Sequence, residues 1–267
     1  MWLSSRVCVV GRHERVYYIV CGGPGLLVDC GSEATYSENL GILEAEGVDI
    51  SSVKAILVTH EHFDHIGAIG RAKADLGCPV ISHALAAPAI ETGDRLVTAS
   101  EMAFLGVDVP LLKARVDVKV DEGDRILLGD LEVRVHHLPG HTQGGAAYMF
   151  EDSLLVGDTV YSHGGIGWPD IHWGSCLGDH RESLGKIARL RPKMILPGHG
   201  DAFAFDESIV EEALSKIDLL EQVGVAEMNS KPAPRRPPGE PGRTVRLPLG
   251  SHPATDPGFR SDGTSCL

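Results

Sequence analysis

The run His60-Glu61-His62-Phe63-Asp64-His65 places three imidazoles and the Asp64 carboxylate, four candidate metal ligands, within six positions. It follows directly on the apolar stretch 53–58, which reads as a continuous buried strand. No packing argument asks for such a cluster. Held together without a cation, the rings repel one another when protonated and are poorly satisfied when buried. Imidazole nitrogen and carboxylate oxygen are donors that zinc, iron and manganese accept. The bland alternative is a His-rich surface loop. With 13 His in 267 residues, chance alone gives a cluster this dense in about one chain in a few hundred.

Further candidate ligands recur, each at the end of an apolar strand pattern. His141 follows 133–138, Asp158 follows 153–156, His199 follows 194–196 and Asp29 follows 26–28. Strand ends on one edge of a sheet converge, and a Gly beside each candidate lets the backbone approach closely. A single Gly-His or Gly-Asp is usually a turn residue; four such sites together with the opening cluster describe a site.

The pattern along the chain alternates strands and helices. Residues 6–10, 16–21 and 25–29 read as short strands, 32–47 and 66–76 as helices, 79–82 as a strand. Residues 84–115 are helical or irregular and are expected to form a cap. A strand-rich block follows at 116–120, 125–128, 131–137, 145–150 and 153–156, then a helix at 179–190, a strand at 193–196 and a helix at 207–223. Two sheets back to back with helices outside satisfy this order, an α/β class. One domain over 1–228 is expected. From 229 onward eight of the chain's 16 Pro appear and Phe259 is the only aromatic. That composition predicts a flexible tail over 229–267, with a strap packed along the body as the alternative.

Hydrophobic residues make up 43% of the chain and no apolar run is long enough to span a bilayer. The N-terminal residues lack the basic region and apolar block of a signal peptide. Cys8, Cys21, Cys30, Cys78, Cys176 and Cys266 form no CxxC pair and read as reduced thiols of a cytoplasmic protein. Net charge is −13, with +3 in residues 229–267 and −16 in the rest. So acidic a body repels phosphate backbones and argues against nucleic acid as partner. A small molecule is the expected partner, and self-association is left open.

His60-x-His62-x-Asp64-His65, then Gly140-His141-Thr142, Gly157-Asp158-Thr159 and Pro197-Gly198-His199, in this order and spacing, resemble the metallo-β-lactamase-fold superfamily over about residues 7–200. The resemblance implies an αββα sandwich of two mixed β-sheets with helices on the outer faces and metals at one edge. It assigns one metal to His60, His62 and His141, a second to Asp64, His65 and His199, and a bridging role to Asp158. Asp29 is implied to support a ligand rather than to bind metal. Gly164-Gly165-Ile166-Gly167-Trp168-Pro169-Asp170 and Glu182-Ser183-Leu184 are similar to the glyoxalase II-like branch, which implies mostly thioester hydrolysis. Glyoxalase II continues into a helical domain with basic residues for glutathione. This sequence has one helix and a Pro-rich stretch there, pointing to a smaller or different acyl group.

Two divalent cations are therefore expected, zinc first, with iron or manganese also compatible. Two cations about 3.5–4 Å apart share a water and lower its pKa toward neutrality, and the hydroxide attacks a carbonyl or phosphoryl centre. Asp64 is the candidate catalytic residue, orienting that hydroxide or passing its proton. A structural zinc site would favour a closed, Cys-rich shell, and no Cys is among the seven donors. The expected reaction is hydrolysis of a small ester, thioester, lactone or lactam. The alternatives are an iron-dependent redox enzyme such as a persulfide dioxygenase, a non-catalytic binding module and, more weakly, a nucleic-acid hydrolase. Tyr161, His163, Trp168, His172 and Trp173 lie in one Gly-rich loop after Asp158 and are candidates for a substrate wall.

Overall fold

The computed structural model describes residues 1–102, 106–168, 173–222, 233–237 and 239–249. The chain opens with β1 (Val7–Val10), β2 (Val16–Val20) and β3 (Gly25–Val28), then α1 (Tyr36–Ala45) and β4 (Val53–Leu57). Next come α2 (Phe63–Ile66), α3 (Ile69–Leu76), β5 (Val80–His83), α4 (Ala87–Thr92), β6 (Glu101–Met102) and β7 (Val107–Asp108). The second half holds β8 (Val118–Val120), β9 (Arg125–Leu128), β10 (Leu131–His137), β11 (Ala146–Phe150) and β12 (Ser153–Gly157). It closes with α5 (Leu177–Leu190), β13 (Met194–Pro197), β14 (Phe203–Ala204), α6 (Glu207–Gln222) and β15 (Thr244–Leu247).

Two mixed sheets result, ordered β1-β2-β3-β4-β5-β8 and β14-β13-β12-β11-β10-β9-β15. Successive side chains point to opposite faces, so strands covered on both sides, such as β3, are apolar throughout, while β8, β9, β10 and β15 alternate buried with more exposed residues. In β3, Leu26 and Val28 face the inter-sheet core with Leu57, Val133, Val135, Tyr148 and Leu155. Leu27 points the other way, into the layer built by Tyr36 and Leu43 of α1 and Ile69 and Ala72 of α3. The second sheet repeats this. Leu154 and Val156 pack outward on Leu184 and Ile187 of α5 and Val210, Ala213 and Ile217 of α6. The architecture is the αββα sandwich.

Two expectations need correction, and a third is narrowed. The helix read over 66–76 is divided into α2 and α3 at Gly67, where a Cβ would stand 3.0 Å from Ser32 Cα. The 84–115 segment, expected to be helical or irregular, is mostly irregular. It holds one short helix and the β6–β7 hairpin, the rest being turns and extended chain, and residues 103–105 lie outside the described ones. The segment read as a flexible tail supplies β15, which pairs in parallel with β9. Val245 and Leu247 join the inter-sheet core, and Arg236 and Arg243 clasp the fully buried Asp124 at 2.8 and 2.9 Å. Apolar alternation and charge pairing thus outweigh the entropy that the composition foretold. Residues 223–232 and 250–267 lie outside the described part.

Candidate metal centre

The seven candidate ligands lie on the segments that follow β4, β10, β12 and β13, with Asp64 and His65 on the short helix α2, and Asp29 follows β3. β4 runs parallel to β3, and β12 parallel to β13, so these strands share their C-terminal edge. The two sheets are tied together beside it. Ala146 N–H donates to Thr59 O at 2.7 Å, and the Tyr148 hydroxyl donates to Val58 O at 2.7 Å.

The structure brings all seven donors together. His60, His62 and His141 form one group, Asp64, His65 and His199 another, and His60, His65 and Asp158 a third, each with donor atoms within 4.8 Å of one another. Asp158 stands between the first two. Its carboxylate oxygens are 3.6 Å from His141 Nε2, 4.0 Å from His60 Nε2, 3.4 Å from His65 Nε2 and 3.3 Å from His199 Nε2. Asp64 Oδ2 is 3.1 Å from His199 Nε2 and 3.7 Å from His65 Nε2. Glycine makes this convergence feasible at Gly198, where a Cβ would overlap Asp158 Oδ1 and stand 2.7 Å from His65 Cε1.

Asp29 sits behind the ligands, in contact with Thr59 and His65. Its backbone is held at φ 59°, a conformation few non-glycine residues adopt. From there it accepts hydrogen bonds from Thr59 N–H at 2.8 Å, Thr59 Oγ1 at 2.7 Å and His65 Nδ1 at 2.9 Å. Because the Thr59 hydroxyl donates to Asp29, its oxygen is left to accept from His60 Nδ1, 3.1 Å away. Both rings are thereby fixed with Nε2 as the donor atom facing the cluster. His60 Nε2 is buried and makes no hydrogen bond. A buried lone pair with no proton to accept is costly, and a cation is the partner that this donor set fits.

The electrostatics agree. Burial pushes the His60 imidazole well below its usual pKa, and the neighbouring His65 adds to this. Burial opposes charge on His65 and His199 too. There the carboxylates of Asp158 and Asp64 outweigh it, raising His65 well above its usual value and His199 to about 10. Burial would raise Asp64 and Asp158, yet His65 and His199 hold both below the ordinary carboxylate range. The cluster therefore favours positive charge at its centre, supplied by protons or by metal.

Several contributors escaped sequence reasoning. Thr59 was silent, although it directly precedes His60. Glu61, inside the motif, is buried and accepts from Thr142 Oγ1 at 2.9 Å and Gly144 N–H at 3.3 Å, joining the His60–His65 loop to the His141 loop. The β1–β2 turn clasps the His199 loop. His199 Nδ1 donates to His13 O at 2.7 Å, Arg15 N–H to Gly198 O at 2.7 Å and Arg15 Nε to Gly200 O at 2.7 Å. Arg15 also pairs with Asp201 at 2.7 Å. Nothing in the sequence signals that clasp.

Of the substrate-wall candidates, Tyr161 reaches the site, with its ring 6.0 Å from that of His199. Burial and the carboxylates of Asp158 and Asp64 hold its phenol well above the usual range. Trp168 and Trp173 are 65% and 42% exposed, so neither fills core space. His163 is exposed, and its carbonyl accepts from Lys216 at 2.9 Å. His172 lies outside the described residues. His83, Asp121 and His137 form a fourth cluster. There the two rings stack 4.0 Å apart and only 15° from parallel. Ring lone pairs lie in the ring plane, so they run side by side instead of converging on an ion. His137 Nε2 is also 2.8 Å from Gln143 O.

Comparisons with known proteins meet this geometry. The model of the metallo-beta-lactamase superfamily matches residues 10–199. A probable metallo-hydrolase of Methanocaldococcus jannaschii is 27% identical over 69% of this chain and 86% of its own. A hydroxyacylglutathione hydrolase of Anaeromyxobacter dehalogenans is 29% identical over 86% of this chain and 80% of its own. Among solved structures, the subclass B3 metallo-β-lactamase BJP-1 of Bradyrhizobium japonicum shares the fold, with a TM-score of 0.68 at 22% identity over 84% of this chain and 92% of that one. TTHA1623, solved in a di-iron-bound form, superposes with a TM-score of 0.60 at 30% identity over 74% and 93%. Family and relatives support a metal-dependent hydrolase. Among the described residues no helix is long and apolar enough to cross a membrane. By its motif order, its sandwich and the match over residues 10–199, the chain belongs to the metallo-β-lactamase superfamily.

Proposed function

We propose that the chain is a dinuclear metal-dependent hydrolase acting on a small ester, thioester, lactone or lactam. The observation that carries this reading is Asp158, whose two oxygens lie within 4.0 Å of imidazole nitrogens from both ligand groups. His60, His62 and His141 would hold one cation, Asp64, His65 and His199 the other, with Asp158 shared. When bound, such a pair supplies Lewis acidity and brings the pKa of a shared water near neutrality.

The chain's own residues do the rest. Asp29 and Thr59 fix the imidazoles so that no reorganisation is needed during reaction. Asp64 is 30% exposed on its side chain, against 6% for Asp158, so of the two it is the one open to solvent. It is therefore the carboxylate placed to orient a water and receive its proton. Tyr161 keeps its phenol proton at neutral pH, held by burial and by Asp158, and would be a hydrogen-bond donor beside the His199 group.

Zinc is the first expectation for the metal. The di-iron form of TTHA1623 supports iron as the alternative metal; a redox enzyme such as a persulfide dioxygenase, which works at a single iron, is the second reading, and the Asp64–His65–His199 group weighs against it. Metal content and chelator-sensitive turnover of thioesters, lactones and a β-lactam test the proposal. Oxygen uptake with a persulfide and no hydrolysis would favour the redox reading.

A further inference from the structure

A cleft of about 460 Å³ lies beside the ligand loops, walled by Leu85, Pro88, Ala89, Val97 and Trp173, with Glu61 and Asp94 among its polar members. Its size lies within the range usual for small-molecule sites. Three contacts fasten it to the metal centre. Glu61 lies between His60 and His62 and contributes to the wall. Phe63 N–H, between His62 and Asp64, donates to Thr98 O at 2.8 Å. A Cβ on Gly144, three residues after His141, would stand 2.6 Å from Ala86 at the start of α4. The segment read from sequence as a cap thus forms a wall continuous with both ligand loops.

The charge of this wall is informative. Among the described residues that line it there is no Lys, Arg or His. Both of its carboxylates are already engaged. Asp94 Oδ1 accepts from Leu96 N–H and Val97 N–H at 3.1 Å each, and Glu61 accepts from Thr142 and Gly144. They repel an anion; Asp94 Oδ2, on an exposed residue, is the one carboxylate oxygen these bonds leave open, and the apolar wall of Leu85, Pro88, Ala89 and Val97 suits an uncharged group. Trp173 presents an aromatic face whose exposure is explained if it covers an apolar group.

We infer that this cleft holds an uncharged, apolar arm of the substrate, so the enzyme prefers neutral aliphatic or aromatic acyl compounds over carboxylate-bearing ones such as glutathione conjugates. This rests on the hydrolase reading above and names its substrate class.

The test compares hexanoyl, acetyl, succinyl and 6-aminohexanoyl thioesters of one small neutral thiol, with the metal-loaded full chain. The hexanoyl compound is expected to exceed both charged ones at least tenfold in kcat/KM. Ala89→Leu, which fills the cleft, lowers the hexanoyl-to-acetyl ratio about tenfold. Thr92→Lys, on the exposed side of α4, narrows the hexanoyl-to-succinyl gap about tenfold. Equal rates for hexanoyl and succinyl, or a preference for the aminohexanoyl compound, would overturn the inference. A binding experiment on the metal-free protein separates the two claims. N-butylhexanamide is expected to change tryptophan fluorescence, and the change is lost in Trp173→Phe. If that response is present but no thioester is hydrolysed, the cleft stands and the hydrolase reading falls. If hydrolysis proceeds while the amide leaves Trp173 unmoved, the cleft assignment falls alone.

Discussion

At the residue scale the centre depends on Asp29, which touches no candidate metal position and yet orients two rings. Asp29→Asn retains the size but cannot accept from three donors at once. Loss of such a supporting partner typically weakens metal affinity by about 10–100-fold. Chelator competition should show that loss with the fold intact by circular dichroism. Unchanged affinity would mean that the rings are held by packing alone. A second residue-scale prediction concerns acid. A hydrogen bond with His83 holds Asp121 down to about 2, and Glu122 falls to about 2 because His136 and Lys186 outweigh its burial. Depressed carboxylates contribute stability that is complete above their unfolded values, 3.8 for Asp121 and 4.5 for Glu122, and lost as pH falls toward 2. Glu122→Gln should cost about 1–2 kcal/mol at pH 7, discounted for partial exposure, and little at pH 2.5. Denaturation midpoints at the two pH values check the sign.

At the element scale the ligands were legible because a ligand at a strand end leaves a local signature. An apolar run, a Gly and a donor sit within a few residues, as at Asp158 and His199. The clasp between the β1–β2 turn and the His199 loop was not legible, because its partners lie about 185 residues apart and meet through backbone carbonyls. Arg15→Met should weaken binding at the Asp64–His65–His199 group about tenfold or more while sparing the His60–His62–His141 group. Metal titration would then show two well-separated affinities. Equal weakening of both groups would make Arg15 a general stabiliser. The strand β15 was hidden for a different reason. Thr244-Val245-Arg246-Leu247 alternates correctly, but four residues inside a Pro-rich stretch carry too little pattern to stand out. The signal lay in pairing: Arg236 and Arg243 reach Asp124, and Arg235 reaches Asp179 at 2.6 Å. Val245→Asp buries an unpaired charge against the inter-sheet core and should destabilise the chain by about 3 kcal/mol or more. A chemical denaturation midpoint unchanged from wild type would show that β15 adds nothing to stability.

At the scale of the whole molecule, two sheets bring their C-terminal strand edges together, and no single sheet supplies a complete ligand set. His60, His62, Asp64 and His65 come from the first sheet; His141, Asp158 and His199 come from the second. Metal binding therefore spans the sandwich, and a ligand that binds only the folded state stabilises it in proportion to its affinity. The order of elements gave this architecture away, because alternating strands and helices with donors at strand ends allow few other arrangements. What the order did not reveal is the cleft, which depends on how residues 85–97 settle against Glu61 and Gly144. Metal quantification on purified chain, paired with hydrolysis of the acyl panel before and after chelation, tests the dinuclear site. Two tightly bound metals per chain are expected, with turnover that chelation abolishes and metal restores. Fewer than one metal per chain, with no chelator-sensitive hydrolysis, would contradict this assignment.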